Sequence, residues 1–326
     1  MAALTFTGSN LLAQERAYVD VFKDTMNIKM IVTNRGLSTS ISNTLNDRRL
    51  RYLPNNQNYL GVGGYIWGLG FQFSLPLPVN WFFDNALDNN SKIFDIQSTF
   101  YRKKWLVEGS FQWYRNLYVE NDSETTLPDN IAESSDIKAR RMMVSATHLF
   151  SGDQVSIKAP FSRNVEQLQS AGSWMLTGGF SSIQLTGGQS ILPIGARKGF
   201  DSDSLVSQME SISFFVRPGY AYNFVYRKFF LHLSGSAGAA LQYKLFKRNG
   251  QRGTDWGVAP TFNLRTATGF DNGKYFAGIS AVLHHSRLRV NNLLLQENAR
   301  NIQLFVGYRF GEPEWLQCLK PSFVNW

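Results

Sequence analysis

From Phe229 to Phe246 (FFLHLSGSAGAALQYKLF) side chains alternate in polarity over an unusual length. Leu231, Leu233, Ala237, Ala239, Leu241, Tyr243 and Leu245 share one face of an extended strand, and His232, Ser234, Ser236, Gln242 and Lys244 share the other. A tilted strand of about 9–11 residues crosses the hydrocarbon core of a bilayer. This run is long enough to cross it and continue beyond. An apolar outer face over a small or polar inner face predicts the wall of a transmembrane β-barrel.

The same period recurs along the chain. Met26 to Thr33 predicts a first strand, with Ile28, Met30 and Val32 on one face and Lys29 opposite. A polar stretch from Asn34 to Asn58 follows, and then strands over 59–66 and 69–76, turning at the Gly-rich centre near Trp67 and Gly68. Further hairpins are expected as 93–102 with 105–118, 137–150 with 154–163, 211–226 with 229–246, and 256–270 with 275–288. Single strands are expected at 171–183 and 301–310. Tight turns at Lys103-Lys104, Ser151-Gly152-Asp153, Arg227-Lys228 and Asp271-Asn272-Gly273 alternate with polar segments 77–91, 120–135, 247–255 and 289–300. Short periplasmic turns and longer external loops are the signature of an outer-membrane barrel. The fold expected is all-β, an antiparallel up-and-down barrel. Parity leaves its size open: 14 strands if 184–210 holds a further crossing, and 12 if one proposed strand folds instead as plug or loop.

Composition agrees with a membrane wall. The chain holds 25 Phe, 13 Tyr and 8 Trp with only 17% charged residues, aromatic-rich and charge-poor for a soluble domain. A mean hydropathy of -0.22, without an apolar run of about 18 residues, excludes ordinary transmembrane helices but not alternating strands. The net charge of +9 is dispersed rather than gathered on one face, which argues against nucleic acid. Basic residues at the rim would instead meet outer-membrane lipid headgroups, and inward ones would bias a lumen towards anions. Cys318 has no partner for an internal disulfide, and His148, His232, His284 and His285 lie scattered, so neither metal nor cofactor is expected.

Residues 1–16 (MAALTFTGSNLLAQER) read as a signal-peptide remnant or disordered tail, 17–310 as the barrel and 311–326 as a C-terminal periplasmic tail. The terminal strand NIQLFVGYRF, ending on Phe310, is of the kind read by barrel-assembly machinery, an expected partner.

The segments LRYLPNNQNYLGVGGYIWGLGFQFSLP, FDIQSTFYRKKWLVEGSFQWYRNLYV, QSAGSWMLTGG and LFVGYRF together resemble a Bacteroidetes-type family of outer-membrane proteins known only as a domain of unknown function. The likeness runs from Ala17 to Phe310, and Tyr52-Leu53-Pro54-Asn55-Asn56 is its most specific piece. The resemblance implies outer-membrane location and a barrel fold. It implies no reaction or ligand.

Three groups are candidates for function. His284 and Ser286 fall on one strand face, in a His-x-Ser pair similar to that of outer-membrane phospholipases and lipid A deacylases, where imidazole would activate the hydroxyl towards an ester. Against this, Ala277, Ile279, Ala281 and Leu283 mark the opposite phase as the lipid side, and Arg287 stands where an Asn commonly follows the serine. The second group is a set of inward charges: Asp95, Glu108, Lys158, Arg217, Lys244, Arg265 and Arg309. Such groups either pair as a salt-bridged filling or line a watery passage. Trp67, Trp105, Trp174, Tyr226 and Trp256 form the third group, placed near strand ends as membrane-interface aromatics. The glycines of Gly61 to Gly70 precede no helix and so form no nucleotide loop. The function expected is a small pore or passive transport barrel. The alternatives are a non-conducting scaffold or docking barrel with an envelope protein partner, and a lipid-modifying hydrolase using His284 and Ser286.

Overall fold

Alternation in the sequence becomes alternation between lipid and lumen in space. A computed structural model describes residues 18–22, 24–45, 49–54, 57–66, 69–77, 92–102, 104–120, 136–193, 196–197, 200 and 205–314. The first strands are β1 (Val19–Val21), β2 (Thr25–Asn43), β3 (Arg49–Leu53), β4 (Asn58–Ile66) and β5 (Leu69–Pro76). They are followed by β6 (Lys92–Arg102), β7 (Trp105–Arg115), β8 (Tyr118–Glu120) and β9 (Lys138–Leu149). A short helix α1 (Lys158–Ser162) and β10 (Val165–Gln167) precede β11 (Ala171–Thr186) and β12 (Val206–Tyr226). The chain then runs through β13 (Phe229–Arg248), β14 (Gln251–Asp271), β15 (Tyr275–Val290) and β16 (Leu293–Gly311).

Antiparallel neighbours run in the order β2, β4, β5, β6, β7, β9, β11, β12, β13, β14, β15 and β16, a nearly closed barrel of 12 strands. Closure comes from β16, which returns to β2 over the whole register from Leu293↔Asn43 to Gly311↔Thr25. One seam is weak: among the described residues β5 and β6 share the single pair Leu69↔Phe100. At the end away from the termini, β3 pairs with the last part of β2 (Thr39↔Tyr52) and β8 with β3 (Tyr52↔Val119), prolonging the wall.

The expected strand 154–163 is corrected: it is not a strand, and its segment carries α1 inside the barrel base. Pro160 lacks the N–H a strand ladder needs, and Val155, Ile157 and Ala159, though they alternate, are buried in the plug rather than turned to lipid. With that strand removed, β11 and β12 have opposite directions without any crossing between them, which settles the strand number at 12 rather than 14. Two expected loops are also corrected. The segment 247–255 holds a two-residue turn at Asn249 (φ 50) and Gly250 (φ 79), the pair of positive φ values that a twisted hairpin favours. The segment 289–300 turns at Asn291 and already belongs to β16 from Leu293. Likewise the polar stretch after Thr33 continues β2 to Asn43.

On β13, Leu233, Ala237, Ala239 and Leu241 are exposed while His232, Ser234, Ser236, Gln242 and Lys244 are buried. Exposed apolar side chains recur round the ring, among them Met30, Phe73, Ile96, Val144, Phe214, Val258 and Leu304. Along β14, Phe270 and Trp256 mark the two edges of this belt, and at ~3.4 Å per residue and ~45° tilt they stand ~34 Å apart along the barrel axis, close to the ~30 Å of a hydrocarbon core. Strands β12 to β16 extend past Trp256, and there the interior changes character. Leu37, Ile41, Leu50, Tyr52, Leu288 and Leu293 from the wall pack with Ile191, Leu192 and Phe200 from the β11–β12 connection. The Tyr52 hydroxyl donates to the Ile191 carbonyl at 2.6 Å. Above the membrane the barrel thus follows the rule of a water-soluble domain, apolar inside.

An arginine placed at a lipid-facing position near mid-belt costs about 2–4 kcal/mol. Ala237→Arg is therefore expected to lower stability by about that amount in bilayer unfolding titrations, while Lys247→Ala, beyond the belt, changes it by less than ~0.5 kcal/mol.

Candidate functional site

The lumen is built in levels, beginning with a plug at the end that carries the termini. Residues 151–170 leave β9, fold inward through α1 and β10, and return to β11. Chain segment Tyr18–Phe22 lies along this plug: β1 pairs with β10 (Val19↔Gln167 to Val21↔Val165), and the Leu168 amide donates to the Tyr18 carbonyl. The wall grips the plug by polar contacts. Asn223 Nδ2 donates to Gln167 Oε1 at 2.8 Å and to the Ser156 carbonyl at 3.0 Å, and Asn27 Nδ2 donates to the Ser162 carbonyl at 3.0 Å. His232 pairs with Asn223 Oδ1 at 2.6 Å and stands edge-on to Phe161.

The strongest grip is ionic. Asp271, at the end of β14, bonds Arg163 of the plug and accepts from Arg309 of β16 at 2.9 and 3.2 Å. Arg309 also donates to the Arg163 carbonyl at 3.2 Å, and its guanidinium lies 3.6 Å from the Phe22 ring centre. All three charged groups are buried. Lys158 sits on α1 rather than on a wall strand, its Nζ 4.6 Å from the Tyr65 ring centre, and burial lowers its ammonium to about 8. Burial also raises the carboxyl of Glu166 on β10.

Midway up, charged pairs cross the barrel. Arg265 of β14 bonds Glu108 of β7, and Arg141 of β9 meets Glu297 of β16 at 3.1 Å. In the ring order these partners stand on nearly opposite walls. Arg35 of β2 faces Asp95 of β6 at 3.8 Å, and Gln112 Nε2 donates to Asp95 at 3.0 Å. Arg217 is buried without a carboxylate among the described residues, donating to Thr261 Oγ1 and meeting His284 Nδ1 at 3.0 Å. Lys244 reaches Asp255 at 2.6 Å near the outer end. The seven charges read from the sequence are thus placed on the lumen side, six on the wall and Lys158 on the plug.

His284 and Ser286 share the lumen face of β15, but each has its own charged partner: Arg217 for the imidazole and Glu297, at 3.5 Å, for the hydroxyl. Neither faces lipid, since both are buried. Among the aromatics, Trp105, Trp174, Tyr226 and Trp256 are all exposed on the outer face. Trp174 packs edge-on to Tyr220 at 5.2 Å and Trp256 lies against Tyr243 at 5.0 Å. Trp67, residues 1–16 and the tail beyond residue 314 lie outside the described residues. No group of three or more metal-ligating side chains occurs among the described residues.

Arg163, Asp271, Arg141 and Glu297 were not singled out from the sequence. Asp271 hid in a turn signal, Glu297 in an apparent loop, and Arg163 in a mistaken strand. Removing one partner from a buried ion pair typically costs about 3–5 kcal/mol, because it strands the other charge. Asp271→Asn is expected to loosen the plug by a comparable amount. The check is limited proteolysis from the short-turn side: cleavage within 151–170 should appear in the variant, with β12 to β15 still resistant.

Residues 14–310 match a family described as a domain of unknown function, DUF4421. No sequence match is found among curated proteins. Solved structures with a similar outline include the outer membrane protease OmpT of Escherichia coli, at 10% identity over 89% of this chain and 98% of that chain, with a TM-score of 0.40. They also include the toluene transporter TodX of P. putida (10% identity, 88% and 89% covered, TM-score 0.24). A third is Ail, the attachment invasion locus protein of Yersinia pestis (9% identity, 88% and 99% covered, TM-score 0.20). Scores this low carry no argument about function, which rests on the residues of this chain. With the match running from ahead of β2 into β16, the chain belongs to the DUF4421 family, described as a domain of unknown function, and its fold is a nearly closed 12-strand β-barrel.

Proposed function

We propose that the protein is a non-conducting outer-membrane barrel, blocked along its axis, that binds or docks rather than acting as a passive pore. The observation that carries this reading is the pair of ion bridges from nearly opposite strands, Arg265 to Glu108 and Arg141 to Glu297. They occupy the middle of the lumen, where a pore would need water. Two further obstructions lie in series with them: the apolar packing of Ile191, Leu192 and Phe200 at the outer mouth, and the plug held by Arg163, Asp271 and Arg309 at the inner one. A solute would have to displace buried apolar side chains and break paired charges in one passage, each a cost of several kcal/mol. The same pairing supports a structural role for most of the inward charges. The hydrolase reading gains nothing from this geometry, because Arg217 sits against the imidazole that would have to accept the serine proton.

Planar bilayers test the proposal. The wild-type protein is expected to insert without discrete current steps. Steady, charge-selective steps from wild-type protein would overturn it.

A further inference from the structure

The weak seam offers a second route into the barrel, through its side. Neighbouring wall pairs are long: β4 and β5 run from Tyr59↔Pro76 to Ile66↔Leu69, and β6 and β7 from Lys92↔Arg115 to Arg102↔Trp105. Between them, β5 and β6 share only Leu69↔Phe100 among the described residues and then part. Gln97 has the lumen phase of Asp95 and Thr99, yet it is exposed. Directly behind lies a cavity of about 460 Å³, bounded by Gln72 and Phe73 of β5, Asp95 and Gln97 of β6, Lys29 of β2 two strands from β5, and Arg265 across the lumen. Unpaired strand edges are costly in hydrocarbon, since no water is there to meet the backbone N–H and C=O groups. A polar group from the bilayer would satisfy them.

Charge identifies which polar group. Of the cations lining the cavity, Arg265 is bonded to Glu108 and Arg35 faces Asp95. Lys29 is left without a carboxylate among the described residues. Its contacts are one long hydrogen bond to the Phe161 carbonyl, at 3.4 Å, and the Phe305 ring, 5.5 Å from Nζ. An ammonium with unused donors, facing a polar cavity, is complementary to an anion. Outside the seam, Phe71, Phe73 and Ile96 are exposed to the membrane and would lie along acyl chains. We propose that a phosphate-bearing anionic lipid enters sideways between β5 and β6, its headgroup held at Lys29 and its acyl chains remaining in the bilayer. This site does not depend on whether the two mouths are closed, so its binding and the absence of conductance stand or fall separately.

The test uses full-length protein in detergent, with native mass spectrometry against three probes: phosphatidylglycerol, phosphatidylcholine and soluble glycerol phosphate. One phosphatidylglycerol per barrel should be retained, with each of the other two held roughly tenfold more weakly. Lys29→Met should weaken phosphatidylglycerol by roughly tenfold and Lys29→Arg should restore it, with heat-shifted gel mobility confirming that both variants fold. Equal retention of phosphatidylcholine or of glycerol phosphate, or no effect of Lys29→Met, would overturn the proposal. Should Lys29→Met fail to fold, photo-crosslinking of azido-phosphatidylglycerol to the wild-type chain decides the matter. Label on Phe71 to Leu75 of β5 or on Asp95 to Thr99 of β6 supports the site; label confined to other strands excludes it.

Discussion

Inside hydrocarbon a backbone N–H or C=O has no partner except another piece of backbone, and that requirement shapes this molecule more than any side chain does. It forces the strands into a ring, and the long register between β16 and β2 is where the ring joins the two ends of the chain. The β12–β13 and β13–β14 ladders satisfy the requirement almost without interruption, the latter from Phe229↔Phe270 to Arg248↔Gln251, whereas β14 and β15 pair only from Asp271↔Phe276 to Thr261↔Ser286. At the β5–β6 seam the described residues share one pair, so the requirement is left unmet along most of both strands. A feature so costly in lipid, set beside a polar cavity with a spare cation, is the most informative departure in the structure.

The interior obeys different rules at different depths. Within the membrane belt the lumen is filled by guanidinium, carboxylate and amide groups that pair across the barrel. Such pairing fixes the shape of the wall, and each bridge tolerates the loss of neither partner. Beyond the belt, where water bathes the outside, the same strands carry Leu288, Leu293 and Leu295 inward and build a conventional apolar core with the β11–β12 connection. The plug combines both modes, with Val155 and Ile157 packed against Leu106 and Met175 while Arg163 meets Asp271. Closure at both mouths is thus achieved with opposite chemistries.

Much of the wall was legible from the sequence because strand period is read directly from side-chain polarity. Strand β5 spans the expected 69–76, and β13 differs only by its last two residues, since Leu233 to Tyr243 alternate cleanly. Legibility failed where a segment left the lipid. Strand β2 beyond Thr33 and the start of β16 look like polar loop because their outward faces meet water, where polar residues are ordinary. The plug was misread because Val155, Ile157 and Ala159 alternate by chance, and period carries no information about whether a strand neighbour exists. The interior pairs were half legible: lumen phase could be assigned to Glu108, Arg265 and Arg309 one residue at a time. The partner of each depends on the ring order and register, which alternation does not encode. Tyr52, in the most specific sequence piece, is a buried anchor of the outer core.

Backbone hydrogen exchange in lipid bilayers, read by mass spectrometry at peptide resolution, tests most directly the claim that β5 and β6 part within the belt while β12 and β13 stay paired. The account requires slow exchange across β12 and β13 and faster exchange from Gly70 to Leu75 of β5 and from Lys92 to Thr99 of β6. Protection at β5 and β6 equal to that of β13 would mean a fully zipped ring and would contradict it.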